Sequence, residues 1–287
     1  MLKPVLKLSI FVLPAVVLAF GATLWFVRNE LQDDSIPLTK EFKGEIVMFI
    51  FPHPDDEITS AGTLKLLDNL GVTTSLITLT KGEAGDANGM VNKTDSTSRA
   101  AELGRIRKQE LLAVGKLLGV DNQEVLDFPD GDLKGIPADT LKDVIREKIH
   151  KYKPTILFSY DEIVGLYGHV DHRVTAQYVK DIFLEERGQP DFSAKKLYQV
   201  TLPKPMIDVA LKISKTFQQN YPKDPSKSLP IPTMAVRIAE VGKFKRDAML
   251  LHQSQRPTFN DMQPYFDKLP PFIYYRIFDK EYFAEVK

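Results

Sequence analysis

The chain has 287 residues, with 38 basic and 38 acidic side chains and a pI near 7.0, a balance that excludes a broad cationic surface for nucleic acid. A composition of 43% hydrophobic and 26% charged residues excludes a largely disordered chain. There is no cysteine, so disulfides, thiol nucleophiles and thiolate ligands are excluded; any metal must be held by His, Asp or Glu, and only five histidines exist.

Leu8–Val27 carries no charge over 20 residues. A helix of that length covers about 30 Å, the thickness of a bilayer's hydrocarbon core. Trp25 and Phe26 stand near one end, where aromatic rings suit the interface. The expectation is a single-pass transmembrane anchor over residues 1–28. An uncleaved anchor is favoured over a signal peptide, because the apolar run exceeds the roughly 7–15 residues of a signal core. Lys3, Lys7 and the amino terminus precede the run, which places the rest of the chain on the non-cytoplasmic side, periplasmic or extracellular. Residues 29–42 are polar, include Pro37 and read as a linker.

From residue 43 apolar runs alternate with amphipathic stretches. Strands are predicted at Glu45–Phe51, Thr73–Thr80, Glu124–Phe128, Thr155–Tyr160 and Lys196–Leu202. Helices are predicted at Thr59–Leu70, Arg99–Leu118, Ala138–Lys151 and Asp171–Glu186. This alternation implies an α/β fold: a Rossmann-like, doubly wound, mostly parallel sheet with helices on both faces. The stretch Lys81–Ser98 reads as a long polar loop, suited to a lid or to a solvated connection. Pro203–Pro232 reads as an excursion, Thr233–Gln253 returns to a helical pattern, and the aromatic-rich last thirty residues have no assignment. One domain over 43–287 is expected, with its least defined part from about 190.

Two motifs carry chemistry. Pro52-His53-Pro54-Asp55-Asp56-Glu57 follows the first strand. It crowds an imidazole and three carboxylates into one turn, which a cation would neutralise; the alternative is a polar turn with Asp56 or Thr59 capping the next helix. Tyr167-Gly168-His169-Val170-Asp171-His172 follows the fourth strand, and two histidines three apart share one helix face. Both motifs should lie on the sheet's carboxyl edge, where sites form in such folds. A catalytic zinc site needs three N or O ligands and an open fourth position. His53, Asp56 and His172 can supply them, with Asp55 left beside the metal to take a proton. His150 and His252, single histidines on predicted helices, read as surface or satisfied residues.

With these motifs the sequence resembles the LmbE-like, or PIG-L, metal-dependent N-acetylglucosaminyl deacetylases. His53–Glu57 matches the family's His-Pro-Asp-Asp-Glu signature and His169–His172 its His-x-Asp-His signature. Thr78–Gly85, the pair Arg107 and Glu110, Leu118-Gly119 and Tyr167-Gly168-His169 also have counterparts. The resemblance covers roughly residues 44–186, with an echo at Leu251–Gln255. It implies one zinc ion on His53, Asp56 and His172, with Asp55 as general base. It implies His169 at the oxyanion or as proton donor, Tyr167 assisting, and Asp171 orienting His169 or polarising the site. Arg107 would touch the sugar or its substituent, and Glu57 would be structural. The implied partner is an N-acetylated sugar or glycoconjugate, with the membrane reached through the N-terminal helix. The rival readings are a zinc amidase cutting another C–N bond, a metal phosphoesterase, and a non-catalytic glycan-binding protein on the same fold.

Overall fold

A computed structural model describes residues 4–39 and 41–287, with side chains described from residue 16. Its centre is a seven-stranded sheet in the order β3-β2-β1-β4-β5-β7-β6. Strands β1 (Ile46–Phe51), β2 (Thr73–Thr80), β3 (Asn122–Phe128), β4 (Ile156–Ser159) and β5 (Lys196–Thr201) are parallel. Strand β7 (Lys280–Glu285) runs antiparallel to both β5 and β6 (Met234–Arg237). The fold is therefore α/β with a mostly parallel sheet, as the alternating pattern implies.

β1 explains why the sheet is covered twice. Val47, Phe49 and Phe51 enter one apolar core, and Met48 and Ile50 enter the other. The period-two alternation of a strand thus feeds both faces, and both sets are apolar because neither face meets water. The first core is closed by α2 (Ala61–Asn69), α3 (Ser96–Leu118) and α9 (Gly242–Leu251), through Leu64, Leu67, Leu111, Val114 and Met249. The second is closed by α4 (Ala138–Tyr152) and α6 (Val170–Glu186), through Leu141, Ile145, Ile149, Val179 and Phe183. Between β4 and α6 lies one short turn of helix, α5 (Gly165–Gly168).

The C-terminal third departs from its sequence reading. The expected excursion at 203–232 contains α7 (Lys204–Ile213) and α8 (Lys215–Asn220). The helical reading of Thr233–Gln253 is correct only from Gly242, because Met234–Arg237 is a four-residue strand that pairs with β7. The unassigned end supplies α10 (Arg256–Met262), α11 (Pro271–Ile277) and β7 itself.

The transmembrane anchor and the non-cytoplasmic placement built on it are corrected. The segment is helical as α1 (Pro4–Leu31), yet no helix among the described residues is long and apolar enough to cross a membrane. The end of this helix is tied to the domain by polar contacts. Arg28 pairs with Asp279 at 3.1 Å and with Asp34 at 2.7 Å, and buried Gln32 donates to the Ile277 carbonyl at 2.7 Å. Beyond it, Leu38 bridges in parallel to Ala235 on the sheet's edge. Lys3 and the side chain of Lys7, on which the orientation rested, lie outside the described residues.

Candidate functional site

The carboxyl ends of β1, β3 and β4 deliver the site. After β1 the chain turns sharply at Asp55, which adopts φ 101°, ψ −18°, left-handed values that are uncommon for a residue with a side chain. A 3-10 turn over Asp56–Ser60 follows. After β4, the buried carboxylate of Asp161 accepts four successive backbone N–H groups, from Ile163, Val164, Gly165 and Leu166, at 2.7–3.4 Å. That nest fixes a strained turn, with Leu166 at φ 68°, ψ −59°. The turn delivers the Gly165 carbonyl to His172 Nδ1 at 3.0 Å.

The hydrogen bonds assign a tautomer to each imidazole. His172 Nδ1 donates to Gly165, so Nε2 carries a lone pair; it has no hydrogen-bond partner and lies 3.1 Å from Asp56 Oδ1. His53 Nε2 faces two carboxylates, Asp130 at 3.0 Å and Asp171 at 3.4 Å, so its proton sits there. His53 Nδ1 lies on the other side of the ring, 3.3 Å from Asp56 Oδ2. Two imidazole nitrogens thus converge on one carboxylate, a donor set that fits a divalent cation in place of protons. His169 differs: its Nδ1 accepts the Asp171 backbone N–H at 3.2 Å, which puts its proton on Nε2 and leaves neither nitrogen free to ligate. Geometry alone groups His53 with His169 and His172, and also with Asp130 and Asp171, within metal-binding reach. Asp56 also faces both His53 Nδ1 and His172 Nε2, at 3.3 and 3.1 Å.

Electrostatics point the same way. Burial alone would lower the His53 pKa, but Asp130, Asp171 and Asp56 more than offset it and raise it well above the usual value. Burial would raise Asp56, yet His172 and His53 hold it well below the usual range. The cluster demands positive charge. His169, partly buried and beside two other imidazoles, is pushed down to about 4 and is neutral. Asp55 is raised to about 6, chiefly by burial and against the pull of Arg107.

All eight residues singled out in the sequence lie in this region, some with other neighbours than expected. Arg107, expected on the substrate, is buried behind Asp55: Nη2 lies 3.2 Å from Asp55 Oδ1 and donates to the Pro54 carbonyl, and Nη1 donates to Gly82 O at 2.8 Å. Gly82 and Gly85 admit it because a Cβ at either would run into the guanidinium. The Asp171 carboxylate meets His53 and the N–H groups of Gly131 and Leu133; only its backbone N–H reaches His169. Tyr167 sets its ring against His172 and His169, at 5.1 and 6.1 Å between centroids.

The sequence reading passed over Asp130, Tyr160 and Asp161. Asp130 had a signal, since Pro129-Asp130-Gly131 directly follows β3 and so falls on the same sheet edge. Tyr160 donates to Asp56 Oδ1 at 3.0 Å and stacks on His172 at 4.2 Å. As the last apolar residue of a strand run it had none. His252, read as surface or satisfied, is fully buried against Glu57 at 2.5 Å, while His150 is partly exposed near Glu186.

Fold and site together define an α/β domain with a histidine–carboxylate centre on the carboxyl edge of its sheet. Residues 48–183 match the family model described as PIG-L: GlcNAc-PI de-N-acetylase, and the chain carries a domain of this PIG-L/LmbE deacetylase family. It is 32% identical over 155 residues to a 1D-myo-inositol 2-acetamido-2-deoxy-alpha-D-glucopyranoside deacetylase of Nakamurella multipartita, covering 46% of this chain and 53% of that protein. It is 29% identical over 224 residues to the diacetylchitobiose deacetylase of Thermococcus kodakarensis, covering 78% of each. Matches to the first curated relatives span between 53% and 66% of their length. Among solved structures, the N,N'-diacetylchitobiose deacetylase from Pyrococcus horikoshii superposes with a TM-score of 0.62 at 22% identity over 88% of each chain, a likeness of fold.

Proposed function

We propose that the chain is a zinc-dependent hydrolase that removes the acetyl group from an N-acetylglucosamine-type sugar conjugate. The observation that carries this reading is the pairing of two ligand sites with one proton acceptor in a single turn. Asp56 faces Nδ1 of His53 and Nε2 of His172, and Asp55 stands next in the chain with its pKa raised to about 6. The relatives' deacetylase names supply the bond, an N-acetyl amide on a glucosamine-type sugar.

His53 Nδ1, Asp56 and His172 Nε2 would hold the zinc ion. Zinc bound there would acidify a water molecule and polarise the acetyl carbonyl. Asp55 accepts a proton from the attacking water, since a carboxylate with a pKa near 6 is a competent base at neutral pH. His169, neutral with its proton on Nε2, donates a hydrogen bond to the developing oxyanion. The Tyr167 hydroxyl, whose pKa burial and the Asp56 charge push well up, stays protonated and adds a second donor on that side. Asp55, once protonated, returns the proton to the leaving amine, because neutral His169 is too weak an acid to do so. Asp130 and Asp171 hold the His53 ring, and Arg107 holds the Asp55 carboxylate.

The test is acetate release by the zinc-loaded protein from a panel of N-acetylhexosamine conjugates and oligosaccharides. The expected result is acetate from one class, with Asp55→Ala retaining zinc and losing about 100- to 1,000-fold in turnover. Near-normal turnover in Asp55→Ala would remove the base from the scheme. No acetate from any conjugate would move the reading to another C–N bond.

A further inference from the structure

His252 lies 195 residues after Glu57 in the chain, and the described contacts give this buried histidine no part in the metal centre. Its Nε2 meets Glu57 Oε1 at 2.5 Å. The other oxygen of the same carboxylate, Glu57 Oε2, accepts the backbone N–H of Asp55 at 2.9 Å. The chain of contacts therefore ends on the residue whose backbone is held at φ 101°, the conformation from which the Asp55 carboxylate meets Arg107.

Each link has a physical reason. A left-handed residue with a side chain persists only when its surroundings over-determine it, and the Asp55 N–H needs an acceptor to stay there. Glu57 is that acceptor, but it is 1% exposed and is the third carboxylate in a row after Asp55 and Asp56. A buried carboxylate keeps its charge and its two acceptor oxygens only against a cation. His252 is fully buried at the end of α9 and is the cation that touches it. Burial would lower its pKa, yet Glu57 and Glu110 raise it to about 9, so it is protonated at neutral pH. The segment around it is anchored independently: Ser254 donates through N and Oγ to Glu110, at 2.9 and 2.6 Å, and Asn88 donates to the Ser254 carbonyl at 2.6 Å.

We infer that His252 is a positioning residue for the proton acceptor: through Glu57 it holds the Asp55 backbone in its left-handed turn and so sets where the Asp55 carboxylate stands. Asp56 points instead to His53 and His172, so the relay governs Asp55 without carrying a ligand. The kinetic half of the inference rests on the deacetylase reading, in which Asp55 is the base; the structural half does not.

The experiment compares the wild-type protein with His252→Gln, Glu57→Gln and the double variant, all loaded with zinc. Three quantities are measured: bound zinc, the kcat and KM of acetate release, and the Asp55 backbone angle in crystals of each variant. The expected result is full zinc occupancy and a KM within about threefold, with kcat lowered about 10- to 100-fold and Asp55 relaxed from positive φ. The double variant should be no worse than the poorer single variant, as for residues acting in one chain. An unmoved Asp55 in a folded His252→Gln protein would overturn the inference, whatever its activity. So would independent, multiplying losses in the double variant. If His252→Gln fails to fold, the near-isosteric Glu57→Gln carries the same structural test. If the wild type deacetylates nothing, the deacetylase reading fails while the crystal angle still decides the relay.

Discussion

Asp130 Oδ1 stands 3.0 Å from His53 Nε2, and the two residues come from the ends of different strands, β3 and β1. The contact holds a proton on His53 Nε2 and turns Nδ1 toward Asp56 Oδ2. Asp130 is itself held, accepting the Ala84 N–H at 2.8 Å, and its pKa is pushed down to about 2 as the His53 contact overcomes burial. Asp130→Ala leaves only the longer Asp171 contact to orient the ring. Zinc affinity should fall about 10- to 100-fold, the usual cost of losing such a partner. Competition with a chromogenic chelator measures it; unchanged affinity would show that Asp171 suffices.

Asp161 predicts a different outcome. Four N–H groups, three of them buried, share its two oxygens, and the turn they shape supplies the acceptor for His172. Asp161→Ala removes all four acceptors at once. At about 1–3 kcal/mol per unsatisfied buried donor, with partial relaxation of the turn, a loss of at least about 3 kcal/mol in unfolding free energy is expected. Urea titration reads it. A loss below about 1 kcal/mol would mean that the turn at Leu166 is held by packing instead.

The parts of the molecule that were legible in sequence are those where local pattern and chemistry coincide. β2 was readable because Thr73–Thr80 is rich in β-branched residues, and both motifs were readable because each follows a predicted strand. The contact of His252 was not, because it is made only by folding, with a residue 195 positions earlier; Asp130 carried a strand-end signal, but its contact with His53, 77 positions earlier, did not show in it. β6 escaped because four residues on a sheet edge carry no periodicity of their own. The reading of α1 as an anchor weighed its apolar run, its aromatic end and the charges before it, whereas Arg28 and Gln32 tie its end to Asp279 and Ile277, near the far end of the chain.

Stability should depend on pH through His252. Its folded pKa is raised to about 9 from an ordinary 6.5, against burial, by Glu57 and Glu110. A raised value stabilises the fold fully below about pH 6.5, and the contribution is lost as pH climbs through about 9. The difference corresponds to roughly 3 kcal/mol. Denaturation midpoints measured from pH 6 to 10 should fall in the wild type and stay flatter in His252→Gln. Equal slopes would place the alkaline loss elsewhere.

Activity should have an acid limb set by Asp55. A base must be ionised to work, and burial holds this carboxyl up to about 6 even though Arg107 pulls it down. Below that value kcat/KM should fall about tenfold per pH unit. A zinc ion at the neighbouring ligands favours the carboxylate, so the limb of the loaded protein belongs at or below about pH 6. Removing the guanidinium has the opposite sign: Arg107→Gln withdraws the positive charge 3.2 Å from Asp55 Oδ1 and should move the limb upward by about one unit. The profile is read as kcat/KM from pH 4.5 to 8, with zinc content checked at each point. If the limb stays in place in a folded, zinc-replete Arg107→Gln protein, Asp55 is not the group that titrates, and Arg107 serves the substrate instead of the base.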